Sequence, residues 1–316
     1  MQLVDVTSFG ESALLVAVPE GARAADLARS LSRALPGADV VAGARSVLVE
    51  GVAAGATRAA LERSLDDGAI ADEPREHVIA ARYDGEDLAA VARATRRSID
   101  EVVRAHAARV YTVEIVGFLP GFAYLGELDP ALVLPRLAAP RRIVPARSIA
   151  IAGRHTGVYP FASAGGWSLI GRAIDFTPFD ASHGGAALRV GDRVRFEPSD
   201  APSVEAPRTA DASVVAARGL EVVRAPAGAT IQDAGRAGCL GRGLPPSGPL
   251  DADSHAAANE AVGNARGTAA IEVPLGALEV RARGRVTVAA DGARARTLDD
   301  GDRFSIEPEG RAVRYA

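Results

Sequence analysis

Residues 116–130 read VGFLPGFAYLGELDP and hold an unusual concentration of rings. Aromatic residues make up only 4% of the chain, yet three of them fall within seven positions: Phe118, Phe122 and Tyr124. The turn formers beside and between them are Gly117, Pro120 and Gly121. Pro and Gly are disfavoured inside a central strand, so this stretch predicts a loop with apolar walls. We expect either the rim of a binding pocket or, with equal weight, a hydrophobic plug that closes a β-barrel.

Length and composition predict an ordinary globular protein of about two domains. Of the 316 residues, 48% are hydrophobic and 24% are charged. The net charge of −4 provides no basic face, so neither nucleic acid nor an anionic membrane is expected as a partner. The first residues lack the pattern of a signal peptide, and no apolar run approaches the roughly 20 residues of a membrane span. The sequence therefore predicts a cytoplasmic protein.

The chain contains no lysine, so its 36 basic residues are all arginine. This excludes a phosphate-binding P-loop lysine, a Schiff base and a biotinylated lysine within the chain. A bound phosphate or carboxylate must then be held by guanidinium groups, backbone N–H groups or a metal. The five histidines show no metal-ligand spacing, and the single cysteine, Cys239, cannot form an intrachain disulfide. We therefore predict no metal site.

Periodicity divides the chain into four segments. Residues 1–80 mix strand patterns with two helical ones, and Leu27, Leu31 and Leu35 mark the first helix, which predicts a small α/β domain. Residues 81–198 consist of short β-rich runs with frequent Gly and Pro, which favours a small barrel. Residues 199–219 are rich in Pro, Ala and Ser and read as a linker. Residues 220–316 resume strand patterns around a helix expected near 251–262.

Two short helices are expected between residues 87 and 108. Ser98 and Glu101 form a capping-box pattern at the start of the second helix. Such a pair resembles a DNA-binding helix-turn-helix. However, Asp100 and Glu101 would then face the phosphates, so a purely structural role is favoured.

The first candidate pocket collects aromatic, guanidinium and hydrogen-bonding side chains from the segment that follows. Arginines flanked by prolines have restricted backbones that could hold a guanidinium ready for an anion. Single histidines are more often structural hydrogen bonders, and Trp167 is interpreted as a core anchor. The candidate residues are Phe118, Pro120, Gly121, Phe122, Tyr124, Arg136, Arg141, Pro145, His155, Thr156, Tyr159 and Arg172. No catalytic residue is assigned.

Four ordered motifs in residues 1–198 resemble a known family: GFLPGFAYLG, the run from Pro135 to Gly153 that contains VPARSIAIAG, TGVYP, and GGWSLIGR. They are similar to the first of the two bacterial allophanate hydrolase subunits (the KipI family), also described as the B subunit of 5-oxoprolinase. Residues 220–316, with TIQDAGR, GLPPSGPLD, ANEAVGN and AIEVPLG, resemble the first part of the C subunit (the KipA family). The resemblance implies a mainly β protein with α+β character. Its parts would be an N-terminal α/β domain, a cyclophilin-like β-barrel, and a second, partial cyclophilin-like β-rich domain.

The same resemblance implies an activity and partners. It implies a component of an ATP-dependent amidohydrolase that opens the lactam of 5-oxoproline to glutamate, with Mg²⁺ as the counter-ion of ATP. The expected partners are the small amide, a separate A subunit of the LamB/YcsF-like type, and a full-length C subunit in an oligomer. Without the A subunit, the chain is expected to be inactive. The alternatives are a regulatory module that inhibits a histidine kinase and a urea or allophanate carboxyltransferase-type component.

The second part contributes further candidates, which are mostly amides and carboxylates. They are Gln232, Asp233, Arg236, Ser247, Asp251, Asn259, Asn264 and Glu272.

The sequence departs from the family pattern at one position of the first pocket. Family members usually carry Gln where His155 stands, so an imidazole replaces a neutral amide there and the identity of the ligand differs from the family pattern.

Overall fold

The structure is a computed structural model that describes residues 4–10, 13–20, 22–66, 74–183, 185–202, 218–291, 293–307 and 313–315. These residues form two compact units. The first unit contains residues up to 207 together with 238–245, and the second contains 208–237 and 246–316. The segment 203–217, which makes up most of the predicted linker, lies outside the described residues. The predicted domain bounds stay a prediction.

The N-terminal part of the first unit is an antiparallel sheet with two helices. Its elements are β1 (Val6–Phe9), β2 (Ala13–Ala17), α1 (Ala24–Ala34), β3 (Asp39–Ala42), β4 (Ser46–Glu50) and α2 (Ala54–Asp66). The strands lie in the order β1-β2-β4-β3. Leu27, Leu31 and Leu35 are buried in one cluster with Val47 and Val49 of β4, because four-residue spacing places them on one helix face. The predicted first helix and α/β character are confirmed.

A closed seven-stranded barrel follows. The elements from here to residue 198 are β5 (Glu76–Arg82), α3 (Leu88–Ala94), α4 (Ile99–Ala107), β6 (Val110–Val116), β7 (Ala123–Gly126), β8 (Arg141–Val144), β9 (Ser148–Ala152), β10 (His155–Val158), β11 (Ser163–Gly165), β12 (Ser168–Ala173), β13 (Phe179–Asp180), β14 (Gly185–Ala186) and β15 (Arg193–Pro198). The barrel order is β10-β7-β6-β15-β5-β12-β9. Within the barrel, the β15–β5 pair is parallel. β5 begins before residue 81 and belongs to the barrel.

The two short helices pack against this barrel. Leu88, Val91 and Ala92 of α3 and Val102 of α4 are buried in the barrel's hydrophobic cluster. Ser98 and Glu101 form the predicted reciprocal capping box. Both helices therefore bury their apolar faces on the barrel; that their role is purely structural stays a prediction. Across the described residues, no helix is long and apolar enough to cross a lipid bilayer.

The second unit is also rich in strands. Its elements are β16 (Gly219–Arg224), β17 (Thr230–Gln232), α5 (Ala252–Ala261), β18 (Ala270–Pro274), β19 (Leu278–Arg283), β20 (Val286–Val288), β21 (Arg296–Leu298), β22 (Arg303–Ile306) and β23 (Val313–Tyr315). They form sheets β16-β19-β22, β17-β18-β23 and β20-β21. The helix expected near 251–262 is confirmed by α5. The mainly β fold class with a barrel is confirmed as well.

A buried polar chain crosses the barrel core. His106 of α4 is fully buried, with Nδ1 2.7 Å from the hydroxyl of Tyr83 and Nε2 2.9 Å from Oγ1 of Thr156. Thr156 donates its own proton to the carbonyl of Ala150. Oγ1 must therefore accept from Nε2–H of His106, so in the neutral imidazole Nδ1 accepts from the hydroxyl of Tyr83. Burial lowers the pKa of His106 to about 3.

We expect this histidine to make the fold sensitive to acid. Its folded-state pKa lies below the unfolded value, so the unfolded chain binds the proton first and stability falls as the pH drops below about 6.5. The contribution is about 2 kcal/mol between pH 7 and pH 5. Urea unfolding at both pH values should show this loss in the wild type and a smaller one in His106→Gln.

A spectroscopic measurement tests the same point without a variant. In a histidine NMR titration between pH 8 and pH 5, the His106 ring should keep its neutral chemical shifts. A midpoint near 6.5 for that ring would contradict the prediction.

Candidate functional site

The turn between β6 and β7 shapes the predicted pocket region. Gly121 has a φ of 80°, and a Cβ at this position would lie 2.5 Å from the carbonyl oxygen of Pro178. Only glycine fits this backbone approach. Phe118 has a φ of 75°, which is strained for a residue with a bulky side chain, and its ring is 60% exposed. Strain of this kind is concentrated at functional sites.

Phe122 is the centre of an aromatic cluster. Its ring is buried and makes edge-to-face contacts, at centroid distances of 5.0 to 5.5 Å, with four others: Phe118, Tyr124, Tyr159 and Trp167. Edge-to-face pairs at this range are favourable beyond the area they bury. The structure therefore brings together three neighbouring rings of the turn and two that lie far along the chain.

These rings surround a concave site, here called the aromatic cavity, of about 190 Å³. It is lined by Phe118, Phe122, Tyr124, Arg136, Pro140, Tyr159, Ala164, Gly165, Gly166 and Trp167. Arg136 is the charged member of this lining, and no carboxylate of the described residues pairs with it. An aromatic wall beside such a guanidinium suits a small ligand that has a flat apolar body and an anionic group.

The electrostatics of the cavity follow from burial and from this guanidinium. Burial raises the pKa of Tyr124, and the charge of Arg136 opposes the rise. Burial and the neighbouring Tyr124 raise the pKa of Tyr159, again against Arg136. Both hydroxyl groups stay protonated at neutral pH and can donate hydrogen bonds.

Other predicted residues lie elsewhere. Arg141 donates to Asp87 at 2.6 Å and pairs with Glu86, so its charge is already compensated. Thr156 belongs to the buried chain around His106. The remaining two are exposed away from the cavity lining: Pro145 in the loop after β8 and Arg172 on β12. Pro120 is half-buried within the turn itself.

His155 lies beside the cavity but not on its lining. Its Nε2 is 3.0 Å from Oε2 of Glu114, and its ring contacts Tyr124 edge-to-face at 5.8 Å. Glu114 also pairs with Arg154. The histidine therefore supports the ring of Tyr124 from outside the cavity, and its partner is a carboxylate rather than a ligand.

The second unit gathers several predicted residues around a residue that the sequence reading missed. Tyr315 is buried, donates to Oε2 of Glu272 at 2.8 Å and accepts from the backbone N–H of Asp251 at 2.8 Å. Burial, together with Glu272, raises the pKa of Tyr315 to about 12. Its ring contacts His255, whose Nε2 lies 3.1 Å from the carbonyl oxygen of Gln232. Only long-range pairing of β18 with β23 reveals this group.

The other second-part candidates have local structural contacts. Asn259 is buried and donates to the carbonyl of Thr268 at 2.8 Å, and Asn264 donates to Asn259. Asp233 accepts from the N–H of Gly235, whereas Ser247 and Arg236 are exposed loop residues. Among the described residues, none of these five candidates lines any of the three cavities of the structure.

The sequence reading also missed residues of the aromatic cavity. Gly165 and Gly166 precede Trp167, and a Cβ on Gly165 would collide with the hydroxyl of Tyr159. The GGW motif was the feature of the sequence that could have indicated this part of the cavity. Trp167 is buried, as its interpretation as an anchor requires, and it also forms part of the cavity wall.

Two protein-family models match parts of this chain. Residues 4–188 match the family model described as carboxyltransferase domain, subdomain C and D. The chain belongs to this carboxyltransferase-domain family. Residues 242–311 match a second model, carboxyltransferase domain, subdomain A and B. The two models correspond to the two parts expected from the sequence motifs.

Individual relatives cover parts of the chain. The B subunit of 5-oxoprolinase from Escherichia coli O157:H7 is 49% identical over 115 residues, which are 36% of this chain and 52% of that protein. Its namesake in Haemophilus influenzae is 42% identical over 113 residues, 35% of this chain and 53% of that protein. The chain thus spans about half the length of the curated relatives it matches.

A solved structure matches nearly the whole chain. The crystal structure of TTHA0988 aligns with a TM-score of 0.75 and 32% identity, over 96% of this chain and 66% of that one. Because the alignment covers 96% of this chain, the similarity in fold includes both the residues of the first family match and those of the second.

The strain at Phe118 can be separated from its contribution to the cavity. Phe118→Gly removes the unfavourable positive φ at a position whose ring is mostly exposed, so we expect the free energy of unfolding to stay equal or to rise by up to about 1 kcal/mol. Phe122→Ala should instead lower it by about 3–5 kcal/mol, since it empties the centre of the cluster. Urea unfolding of both variants checks this, and a large loss of stability in Phe118→Gly would support the plug interpretation.

Proposed function

We propose that this chain is a component of an ATP-dependent 5-oxoprolinase, in which the aromatic cavity holds 5-oxoproline. The observation that carries the proposal is Arg136, which lines an aromatic cavity of about 190 Å³ and has no carboxylate partner among the described residues. The names of the three curated relatives support it, because each of them is the B subunit of a 5-oxoprolinase.

The substrate has two features that the cavity can recognise. Its carboxylate suits a bidentate contact with the guanidinium of Arg136. Its flat five-membered lactam suits the faces and edges of Phe118 and Trp167, and the hydroxyl groups of Tyr124 and Tyr159 can donate to the lactam oxygen. The volume accommodates one small ring.

The reaction needs more than this cavity provides. A lactam carbonyl is a poor electrophile, and transfer of the γ-phosphoryl group of ATP to its oxygen would activate the carbon for attack by water. The C–N bond then breaks, phosphate leaves, and the amine and new carboxyl group of glutamate form. We assign to this chain the binding and orientation of the substrate. Phosphoryl transfer, with Mg²⁺ on the nucleotide, falls to the assembled complex.

The proposed complex includes partners. A separate A subunit is proposed to complete the active site, and a full-length C subunit is proposed as a further partner. The chain alone is then expected to bind substrate without turning it over.

A second candidate is a carboxyltransferase-type component. It is favoured by the two family models, both of which are named for carboxyltransferase subdomains. Because the chain has no lysine, such a function would require carboxybiotin on another chain. The two candidates differ in whether ATP or carboxybiotin supports turnover.

Substrate binding should depend on Arg136. Loss of one charge-assisted contact in Arg136→Gln is expected to weaken the binding of 5-oxoproline about 10- to 100-fold, as measured by calorimetry. Arg142→Gln is the matched control, because Arg142 is exposed on β8 and absent from the cavity lining. Equal affinity in the two variants would remove the assigned role of Arg136.

Activity is the direct test of the proposal. We expect glutamate release and ATP hydrolysis on addition of 5-oxoproline when the chain is mixed with an A subunit and a full-length C subunit, and no release from the chain alone. A mixture that remains inactive with ATP but consumes carboxybiotin would favour the second candidate.

A further inference from the structure

The largest of the described cavities lies apart from the aromatic cavity. It encloses about 560 Å³ within the first unit and is here called the α1 cavity. The two cavities share no lining residue. Its walls come from α1, from β3, from the residues just before β5, from the end of β6, from the connection between β14 and β15, and from residues 240–243, which cluster with the first unit. A volume between about 300 and 1,000 Å³ at a junction of two substructures is typical of a site for small molecules.

The walls of the α1 cavity combine small and apolar side chains. Ala25, Ala28 and Ser32 present the face of α1, and their short side chains leave the space open. The opposite walls are apolar, with Val40, Val116, Leu188 and Leu240 among them. This lining favours a ligand with an apolar body.

The α1 cavity is lined by more guanidiniums than carboxylates. The guanidiniums are those of Arg29, which pairs with Asp26, of Arg75 and of Arg189, and the carboxylate is that of Asp192. Asp192 is buried and already satisfied. It accepts from Arg75, from the ring of His77 at 3.1 Å and from the N–H of Arg189 at 2.9 Å. Burial alone would raise the pKa of Asp192, but these donors outweigh it and the pKa is lowered.

Arg189 is the cation of this lining that the fold leaves available. Its backbone is held by Asp192, and no carboxylate of the described residues pairs with its exposed guanidinium. Arg75, by contrast, is committed to Asp192 and to the carbonyl of Ala187. A guanidinium held by its backbone at the edge of an apolar cavity binds an oxyanion well.

We propose that the α1 cavity is a second binding site, for a small organic anion that carries a carboxylate or phosphate group on an apolar body. The oxyanion pairs with Arg189 while the body fills the space between α1 and Val40. This site is separate from the proposed substrate site and does not depend on its function.

The probe is 8-anilinonaphthalene-1-sulfonate, which joins an oxyanion to an apolar body and fluoresces when it is bound. We expect saturable binding with one probe per chain. Competition by ATP and, separately, by octanoate distinguishes a phosphate ligand from a carboxylate ligand, and displacement by either supports the proposal. Displacement by neither overturns it.

Three variants locate the bound probe. Arg189→Leu keeps the apolar volume and the backbone contact to Asp192, and it should weaken binding about tenfold. Ser32→Trp, at an exposed helix position, should fill the cavity and abolish binding. Arg104→Leu is the control, because Arg104 is exposed on α4 outside the lining. Equal affinity in Arg189→Leu and Arg104→Leu, or unchanged binding in a folded Ser32→Trp, overturns the assignment.

Discussion

The packing of Phe122 is the interaction on which the aromatic cavity depends. This one buried ring touches rings from the β6–β7 turn, from β7, from the residue after β10 and from the residue before β12. It can reach them because Gly121 lets the backbone approach Pro178, which directs Phe122 into the protein and Phe118 out of it. Pocket rim and hydrophobic plug are therefore compatible descriptions: Phe122 fills the interior while Phe118 lines the opening.

Charge compensation decides which arginines are available. In a chain without lysine, guanidiniums serve both structure and recognition. Arg141 forms ion pairs with Asp87 and Glu86, and Arg75 forms one with Asp192. In the portion that the structure describes, Arg136 and Arg189 lack such carboxylate partners, and each borders a cavity. An anion can bind to such a guanidinium without displacing a carboxylate of the protein.

In the second unit, the phenol of Tyr315 has a structural role like that of the paired arginines, because it contacts a carboxylate of the protein. The hydroxyl of Tyr315 links β23 to Glu272 of β18 and to the N–H of Asp251 at the start of α5. With its pKa raised to about 12, the phenol stays neutral and can serve as donor and acceptor at once. The predicted residues Glu272 and Asp251 meet there as parts of a hydrogen-bonded core, with the predicted Gln232 joined through His255.

The sequence by itself determined the elements and the stock of binding groups, because these follow from short-range spacing. The leucine spacing of α1 and the capping box of α4 depend on neighbours within a few residues, and the structure agrees with both. Only the tertiary structure decided which candidates share a site. Arg136 and Arg141 both follow prolines, yet Arg141 pairs with Asp87, more than fifty residues away, whereas no carboxylate of the described residues pairs with Arg136. His155 and Thr156 are adjacent, but strand alternation sends one toward Glu114 and the other into the core beside His106. These contacts depend on the closed barrel, because it brings together residues that are distant in the chain.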